Sequence, residues 1–455
     1  MGIILQSPAS FPTVRLSDAQ EIFYVFLIIP VLLLCVVVRR LWFHPLSKFP
    51  GPKLAAATSW YDLYYDLFLN GSYVKDFPKL HERYDHNEKE SDIIRIAPNH
   101  LHINDLDFYK TVFHAKAVYQ KAPSFYGNLS LGDSLVSQTD ESKHHIKRTV
   151  VNSTFSTKAV NDIAPSVAQK VQKAGDLIAL KAQRGQPITI QQVFRCITAD
   201  VICDISFGVS KNLVESNEEY PAFLTGIDEF ASRMRFTKNF PILGSICLHL
   251  PNRVKRHLLP GHINLAEQCK PLVENVLEQN QEKSAHQQKK TMFHLLREPD
   301  QEKNHPGMGF DALINEALLF TIGGSHTTAY TLSYAIYHVL SAPEILSRLR
   351  TELEGASAAI NEEFDWHQIK NLPYLTAVIK ETLRVSSGIP GNLPRVVPAE
   401  GILAYMEIYL CLAIFFLRFD MELFETDETS IEWSDFVLAV NRKPVKVRIT
   451  KDHLA

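Results

Sequence analysis

The sequence predicts a mainly α-helical fold with a minor β part. Apolar residues recur at helical spacing through most segments after residue 55, and long helices are expected at roughly 160–182, 188–206, 260–282, 311–340, 343–354 and 373–386. Short β-rich segments predict a strand pair at 93–97 and 101–103 and a terminal strand hairpin from about residue 432. Helices therefore dominate the expected fold, and the sheet is small.

The composition is that of an ordinary globular protein. The chain has 455 residues, 46% of them hydrophobic and 21% charged, with a formal net charge of −3. This balance gives no electrostatic signal for a nucleic-acid partner. The six cysteines lie far apart and form no C-x-x-C pair, so neither a zinc site nor a disulfide framework is expected.

An uncharged, mostly apolar run at residues 22–38 predicts a transmembrane anchor of 17 residues, close to the minimum that spans a bilayer. Arg39 and Arg40 close the run, whereas Arg15 is the only cationic side chain before it. The positive-inside rule then makes residues 1–21 lumenal and the body cytosolic. The alternative, a cleaved signal peptide, requires positive charge before the run and a small-residue cleavage site after it.

Residues 39–54 are expected to form a proline-rich hinge, because Pro45, Pro50 and Pro52 stop the anchor helix and stiffen the linker. The globular body then comprises residues 55–455. Within it, Asp105 is expected to cap a short helix.

Two adjacent glycines in the middle of the expected helix at 311–340 are its most unusual feature. Gly323 and Gly324 each cost helix stability, on the order of 1 kcal/mol, which is usually tolerated for bending or for close approach of a ligand. The Thr327 hydroxyl is expected to donate back to the Gly323 carbonyl. A helix with a packing defect and no function remains the alternative.

Two charged pairs lie on other expected helices. Glu381 and Arg384 share one helical face at i,i+3 spacing, where a solvated surface pair is the ordinary interpretation. His144 and Arg148 stand at i,i+4 spacing and could bind a pair of carboxylates, although such residues are mostly surface groups.

Together, and in this order along the chain, these motifs resemble the cytochrome P-450 (haem-thiolate monooxygenase) family. The glycine-threonine helix at 323–328, the Glu381/Arg384 pair and the His144/Arg148 pair carry the resemblance, which extends from about residue 22 to 450. The apolar run with its proline hinge is similar to that of membrane-bound eukaryotic members. The overall sequence pattern resembles fungal members of secondary metabolism. The resemblance implies the cytochrome P-450-type fold.

The resemblance also implies roles for individual residues. Thr327 would help deliver protons to the oxygen chemistry, with His326 and Gly324 beside it as the catalytic segment. His144 and Arg148 would contact the haem propionates, and Arg395 would lie near the haem. Glu381 and Arg384 would form a structural pair with a third partner, an arginine further along the chain.

The same resemblance implies a haem cofactor, an NADPH-cytochrome reductase as electron donor and an apolar small molecule as substrate. It also implies a single-pass protein of the endoplasmic reticulum membrane. The loop at 124–142 and residues 388–393 would border the substrate.

The chain departs from the family pattern at three places. His326 stands where members usually carry Asp or Glu, and imidazole can relay protons near neutral pH. Residues 84–92 read as an insertion before the first strand. The proximal cysteine is missing, because counting back five residues from the Leu403-Ala404 pair reaches Pro398, which cannot ligate iron.

The third departure predicts an internal deletion of several tens of residues between about residues 398 and 402, so that no metal ligand is assigned. Without the thiolate, hydroxylation has no route, and the chain as written is expected to be inactive. Three interpretations stay open: a monooxygenase whose sequence is incomplete, a non-catalytic remnant, and a membrane-tethered binder of apolar molecules.

Overall fold

The computed structural model describes residues 16–84, 93–105, 109, 121–216, 220–279, 290–360, 366–391, 415–416, 418–435, 439–441 and 443–453. Within these ranges the side chains of 16–27, 241, 245, 279, 357–360, 434, 435, 439 and 440 are not described. The chain divides into two compact units, residues 1–69 with 75–108 and residues 70–74 with 109–455.

The first unit holds the N-terminal helices and one strand pair. Its helices are α1 (Leu16–Trp42), α2 (Lys53–Ala57), α3 (Trp60–Phe68) and, from Lys75 onward, most of α4 (Tyr73–Tyr84), with a 3-10 turn at Pro45–Lys48. Strands β1 (Ile93–Ala97) and β2 (His100–Ile103) pair antiparallel. Helix α1 thus begins before the apolar run and continues beyond it, and the strand pair is confirmed.

The second unit is helical for most of its length. Its helices are α5 (Pro123–Tyr126), α6 (Glu141–Asn152), α7 (Thr157–Gln183), α8 (Ile190–Phe207), α9 (Ala222–Asn239), α10 (Pro241–His249), α11 (Asn252–Leu258), α12 (Pro260–Gln279), α13 (Met292–Arg297), α14 (Phe310–Ser341), α15 (Pro343–Ile360), α16 (Trp366–Ile369) and α17 (Pro373–Val385). The mainly α fold with a minor β part is confirmed, and each long helix that the sequence predicts is present.

In the described part of the second unit, the strands form two small sheets of two strands each. β3 (Phe419–Leu423) pairs antiparallel with β6 (Val447–Asp452), and β4 (Trp433–Asp435) pairs antiparallel with β5 (Ala439–Asn441). The expected hairpin is therefore β4–β5, whereas β6 takes its partner from further back in the sequence.

Helices α8 and α14 pack against each other in the core of the second unit. The Thr198 hydroxyl of α8 donates to the Ser325 carbonyl of α14 at 2.8 Å. Phe194 of α8 packs on Phe415, with ring centroids 5.5 Å apart, and both side chains are fully buried. The Thr198–Ser325 hydrogen bond therefore fixes the part of α14 that carries the glycine pair.

The structure bears differently on three expectations about local structure. The segment 124–142, expected to be a loop, contains α5 and the first residues of α6, because Pro123 and Asp140 begin helices there. The helix expected after Asp105 lies almost wholly outside the described residues, as does most of the insertion at 84–92. In the part of the chain that the structure describes, no helix has both the length and the hydropathy of a membrane span.

Candidate functional site

The glycine pair of α14 separates into two different environments. The Thr327 hydroxyl donates to the Gly323 carbonyl at 2.7 Å, which confirms the expected bond. A Cβ at Gly324 would lie 2.5 Å from Cγ1 of Ile202, so this glycine permits the close approach of α8. A Cβ at Gly323 would meet no atom within 4 Å, so the Gly323 side of the helix borders open space.

Residue 388 lies beside Thr327 in this region. A Cβ at Gly388 would lie 3.6 Å from the Cβ of Thr327, an ordinary contact distance. The turn after α17 thus reaches the glycine-threonine segment, as the expected substrate-side role of residues 388–393 requires. Of that segment, 392 and 393 lie outside the described residues.

His326 is buried on α14, with 4% of its surface exposed. Burial and the nearby Arg195 guanidinium lower the pKa of His326 to about 4, so its imidazole is neutral at pH 7. Its Nδ1 atom has no hydrogen-bond partner among the described residues. Proton exchange through His326 would therefore start from the neutral ring and not from a group that titrates near neutral pH.

Arg195 and Asp228 form the charged pair that faces His326. Two guanidinium nitrogens donate to the two carboxylate oxygens at 2.9 and 2.7 Å, and Tyr220 contacts both groups. The Arg195 side chain is buried, whereas the Asp228 side chain is 37% exposed, so the pair extends from the interior to the surface.

His144 and Arg148 lie on α6, as the sequence predicts, and Asp140 caps that helix by accepting from the Lys143 N–H at 3.1 Å. Lys121 and Lys147 join them, and these four side chains are called here the cationic cluster. Burial, followed by the charges of Lys121 and Arg148, lowers the pKa of His144 to about 4. Burial and Arg148 likewise lower the pKa of Lys121 to about 8.

Glu316 of α14 is a buried carboxylate that the structure places against the cationic cluster, and exposed Asp133 also pairs with Lys147. Lys147 Nζ lies 3.4 Å from its Oε1, and the Leu135 N–H donates to its Oε2 at 3.1 Å. Lys121 Nζ donates to the carbonyls of Leu135 and Val136 at 2.9 Å each. The cluster and Glu316 thereby hold the segment before α6 against α14.

Sequence reasoning missed Lys121, Lys147 and Glu316. A signal existed for Glu316, because it directly precedes the mostly apolar stretch 317–322 of the same expected helix. A charged residue on the buried face of a helix needs a partner. No signal linked it to Lys121, because 195 positions separate them and the contact depends on the fold.

The Glu381/Arg384 pair forms on α17, but it is exposed. Arg384 Nε and Nη2 donate to the two Glu381 oxygens at 2.7 and 2.6 Å. Arg384 and Glu381 side chains are 69% and 59% exposed. Solvent therefore reaches both groups, as in the ordinary interpretation of a surface pair, and the third partner that the resemblance implies stays a prediction.

The residues that bear on the iron ligand lie mostly outside the described part. Arg395, Pro398 and the Leu403-Ala404 pair are not described, and neither is Cys411. Among the described residues, no group of three or more His, Cys, Asp or Glu side chains could hold a metal ion. The free cysteines described are exposed Cys35 and four buried thiols, Cys196, Cys203, Cys247 and Cys269.

The site fits one part of the haem that the resemblance implies. Haem carries two propionate carboxylates. The cationic cluster sets the side chains of Lys121, Lys147 and Arg148 against two carboxylates, buried Glu316 and exposed Asp133. Burial, followed by neighbouring positive charge, lowers the pKa of Lys121 and of His144, and a bound dianion would favour the charged form of both groups.

Comparisons with known proteins all find members of one protein family. The sequence profile "Cytochrome P450" matches residues 67–400. The cytochrome P450 monooxygenase aneF of Aspergillus aculeatus is 36% identical over 375 positions, which cover 82% of this chain and 75% of that protein. The cytochrome P450 monooxygenase phqM of Penicillium fellutanum is 31% identical over 477 positions (90% and 88%), and BOT1 of Botryotinia fuckeliana is 30% identical over 480 (91% and 92%).

Proposed function

Because the chain belongs to the cytochrome P450 family, whose cofactor is haem, we propose that its lineage performs haem-dependent monooxygenation of an apolar small molecule. The substrate class that we propose is a secondary metabolite. We further propose that this sequence lacks the segment with the thiolate ligand, and that the 455-residue chain is therefore not an active oxygenase. The sequence around residue 398 carries this proposal, because it has no cysteine at the counted position.

The exposure of the Glu381/Arg384 pair supports the proposal that a segment is missing. In the family this pair has a third partner, an arginine that follows it in the chain. Here both side chains are more than half exposed and bond only to each other among the described residues. If a segment that normally covers the pair is absent, both side chains are left exposed to solvent.

The lengths of the alignments support the same proposal. The match to phqM runs over 477 positions but covers only 90% of a 455-residue chain, so several tens of positions hold a residue of phqM and none of this chain. The match to BOT1 has the same property. The family profile ends at residue 400, next to the proposed deletion at about 398–402.

The thiolate is decisive because it donates electron density to the iron and promotes cleavage of the O–O bond. The residues of this chain would bind and orient the cofactor's carboxylates through the cationic cluster. They would also present the Thr327 hydroxyl and neutral His326 on α14. None of these residues replaces the thiolate.

The spectrum of the reduced, carbon-monoxide-treated protein tests this proposal. We expect the 455-residue chain, supplied with haem, to lack the thiolate-type Soret band. A longer chain that restores the segment from the gene should show the band and lose it when its proximal cysteine is replaced by serine. A thiolate band from the 455-residue chain would refute the proposal.

Sequencing the transcript across the codons for residues 395–407 separates the remaining interpretations. An in-frame insert that encodes a cysteine would make the working protein a complete monooxygenase. A transcript that matches the chain as written would make it a non-catalytic remnant, and the membrane-tethered binder of apolar molecules would then be tested by ligand binding without turnover.

For the complete protein, we propose that Thr327 assists proton delivery. Thr327→Ala removes the hydroxyl that bonds to the Gly323 carbonyl and should lower product formed per NADPH consumed. Thr327→Ser keeps the hydroxyl and serves as the matched control. If the Thr327→Ala and wild-type proteins form equal amounts of product per NADPH consumed, Thr327 does not have this role.

We also propose that the apolar run at 22–38 inserts in the endoplasmic reticulum membrane with the body in the cytosol, where a membrane-bound NADPH-cytochrome reductase supplies electrons. The described side chains from Ile28 to Leu34 support insertion, because most are apolar and about half exposed. Carbonate extraction of microsomes should leave the chain in the membrane, and a chain without residues 1–44 should be released. Release of both would refute insertion.

A further inference from the structure

A cavity of about 470 Å³ lies in the second unit, between the end of α7, the start of α8 and the segment that follows α8. None of the residues assigned to the haem side lines it. Its volume falls in the range of small-molecule sites, roughly 300–1,000 Å³. It therefore qualifies as a separate site, independent of the proposed function.

The charged side chains that line this cavity are both positive. Lys181 and Arg184 line it and make no ion pair among the described residues. The Gln192 amide nitrogen, Nε2, is buried without a hydrogen-bond partner. The described lining contains no carboxylate, and nearby Glu215 pairs with Lys173 instead.

The start of helix α8 adds to the positive character. Thr189, which lines the cavity, is the N-cap of this 18-residue helix, and its side chain makes no capping bond. Free N–H groups and the helix dipole favour an anion at such an end. The helix end therefore favours an anion in the same cavity as the two cations and the unpartnered Gln192 donor.

The rest of the lining is apolar and held in place. Leu213 and Val214 form one wall, and their N–H groups donate to the buried Asp200 carboxylate at 3.0 and 3.1 Å. Ile188 forms part of another wall and exchanges two 2.9 Å backbone hydrogen bonds with Val447 of β6. The cavity is therefore preformed, which lowers the entropy cost of binding.

We propose that this cavity binds an amphiphilic anion, namely a carboxylate or phosphate head on an apolar chain. The head lies between Lys181, Arg184 and the Gln192 amide, because a guanidinium donates in a fork that matches either group. The chain packs on the Leu213–Val214 wall. The head group could come from a free fatty acid or from a phospholipid, and the experiment separates these sources.

Equilibrium dialysis of the full chain in lipid nanodiscs, corrected with empty nanodiscs, tests the proposal with labelled octanoate. We expect saturable binding of one octanoate per chain, at least tenfold tighter than that of 1-octanol, which lacks the charge, or acetate, which lacks the chain. Arg184→Gln should weaken octanoate binding about tenfold, the loss of one charge-assisted contact. Lys158→Gln removes an exposed cation from the opposite end of α7 and should leave binding within about twofold.

Hydrogen exchange at residues 189–193 assigns the source of the ligand. Protection by octanoate identifies a free fatty acid, whereas protection only by phosphatidate in the nanodisc identifies a phospholipid, and both outcomes support the cavity. Equal binding of octanol and octanoate, equal weakening by Arg184→Gln and Lys158→Gln, or no protection by either ligand would overturn the proposal.

Discussion

Two opposing effects set the pKa of the buried Glu316 carboxyl group. Burial disfavours its carboxylate and raises the pKa of Glu316 to about 7, although Lys147 and the Leu135 N–H favour the charged form. Its folded pKa is therefore above the unfolded value, and the native state binds more protons than the unfolded state between these two values. The contribution of Glu316 to stability is present below about pH 4.5 and is lost as pH rises towards 7.

This balance predicts a pH-dependent effect of Glu316→Gln. The glutamine keeps an oxygen for the Leu135 N–H but does not titrate. The free energy of unfolding of the variant should consequently decline less between pH 5 and 7, by on the order of 1–3 kcal/mol. Urea unfolding at several pH values measures this difference.

Glu141→Gln serves as the control, because Glu141 is exposed in the first turn of α6. It should preserve the wild-type pH dependence. The assignment of the titration to Glu316 fails if Glu316→Gln and wild type show the same slope.

The site residues were predictable from the sequence to different degrees. His144 and Arg148 share a helix turn, so their i,i+4 spacing placed them on one face, and the structure confirms that they lie together on α6. Lys121 and Glu316 reach the same cluster from distant parts of the chain. Such contacts follow from tertiary packing and leave no local pattern.

At the scale of an element, α14 is shaped by its contact with α8. Gly324 lies against Ile202, and the Ser325 carbonyl accepts from Thr198. The sequence predicted that the glycine pair served bending or close approach. The structure assigns close approach of another helix to Gly324 and open space to Gly323, a distinction that periodicity could not make because the two residues are adjacent.

This distinction predicts opposite effects of two alanine substitutions. Gly324→Ala should destabilise the protein by about 1–3 kcal/mol, because the added methyl overpacks against Ile202. Gly323→Ala meets no atom and should stabilise by about 0.4–1 kcal/mol through helix propensity. Chemical denaturation of both variants measures the two signs.

Ile202→Val in the Gly324→Ala background makes the test specific, since removing a methylene from Ile202 should recover part of the loss. Loss of stability at both glycines to the same extent would show that backbone conformation, and not contact with Ile202, dominates.

At the scale of the whole molecule, the long helices were predictable because each has a sustained apolar periodicity. The pairing of β3 with β6 was not, since it joins segments that do not follow each other in the chain. The spacing of Glu381 and Arg384 predicted that they meet, but it could not predict how much of each side chain other segments cover.

The proposed deletion predicts different effects of Arg384→Ala in two lengths of this protein. In the 455-residue chain the exposed pair contributes little, so the melting temperature should change hardly at all. In a chain with the segment restored, the pair would be covered, and loss of one partner should lower the melting temperature by several degrees. Scanning calorimetry compares the four proteins.

Lys380→Ala is the control in both lengths, because Lys380 lies on the same helix and is exposed. Equal effects of Arg384→Ala in the two chains would mean that the restored segment does not cover the pair.

The distribution of thiols gives the protein a built-in labelling position. Cys35 on α1 is exposed, whereas the other described cysteines are buried. After Cys411, which lies outside the described residues, is changed to serine, a maleimide dye should label Cys35 selectively. The emission wavelength of that dye, and its quenching by lipids brominated at known depths, would report where this helix sits relative to a bilayer.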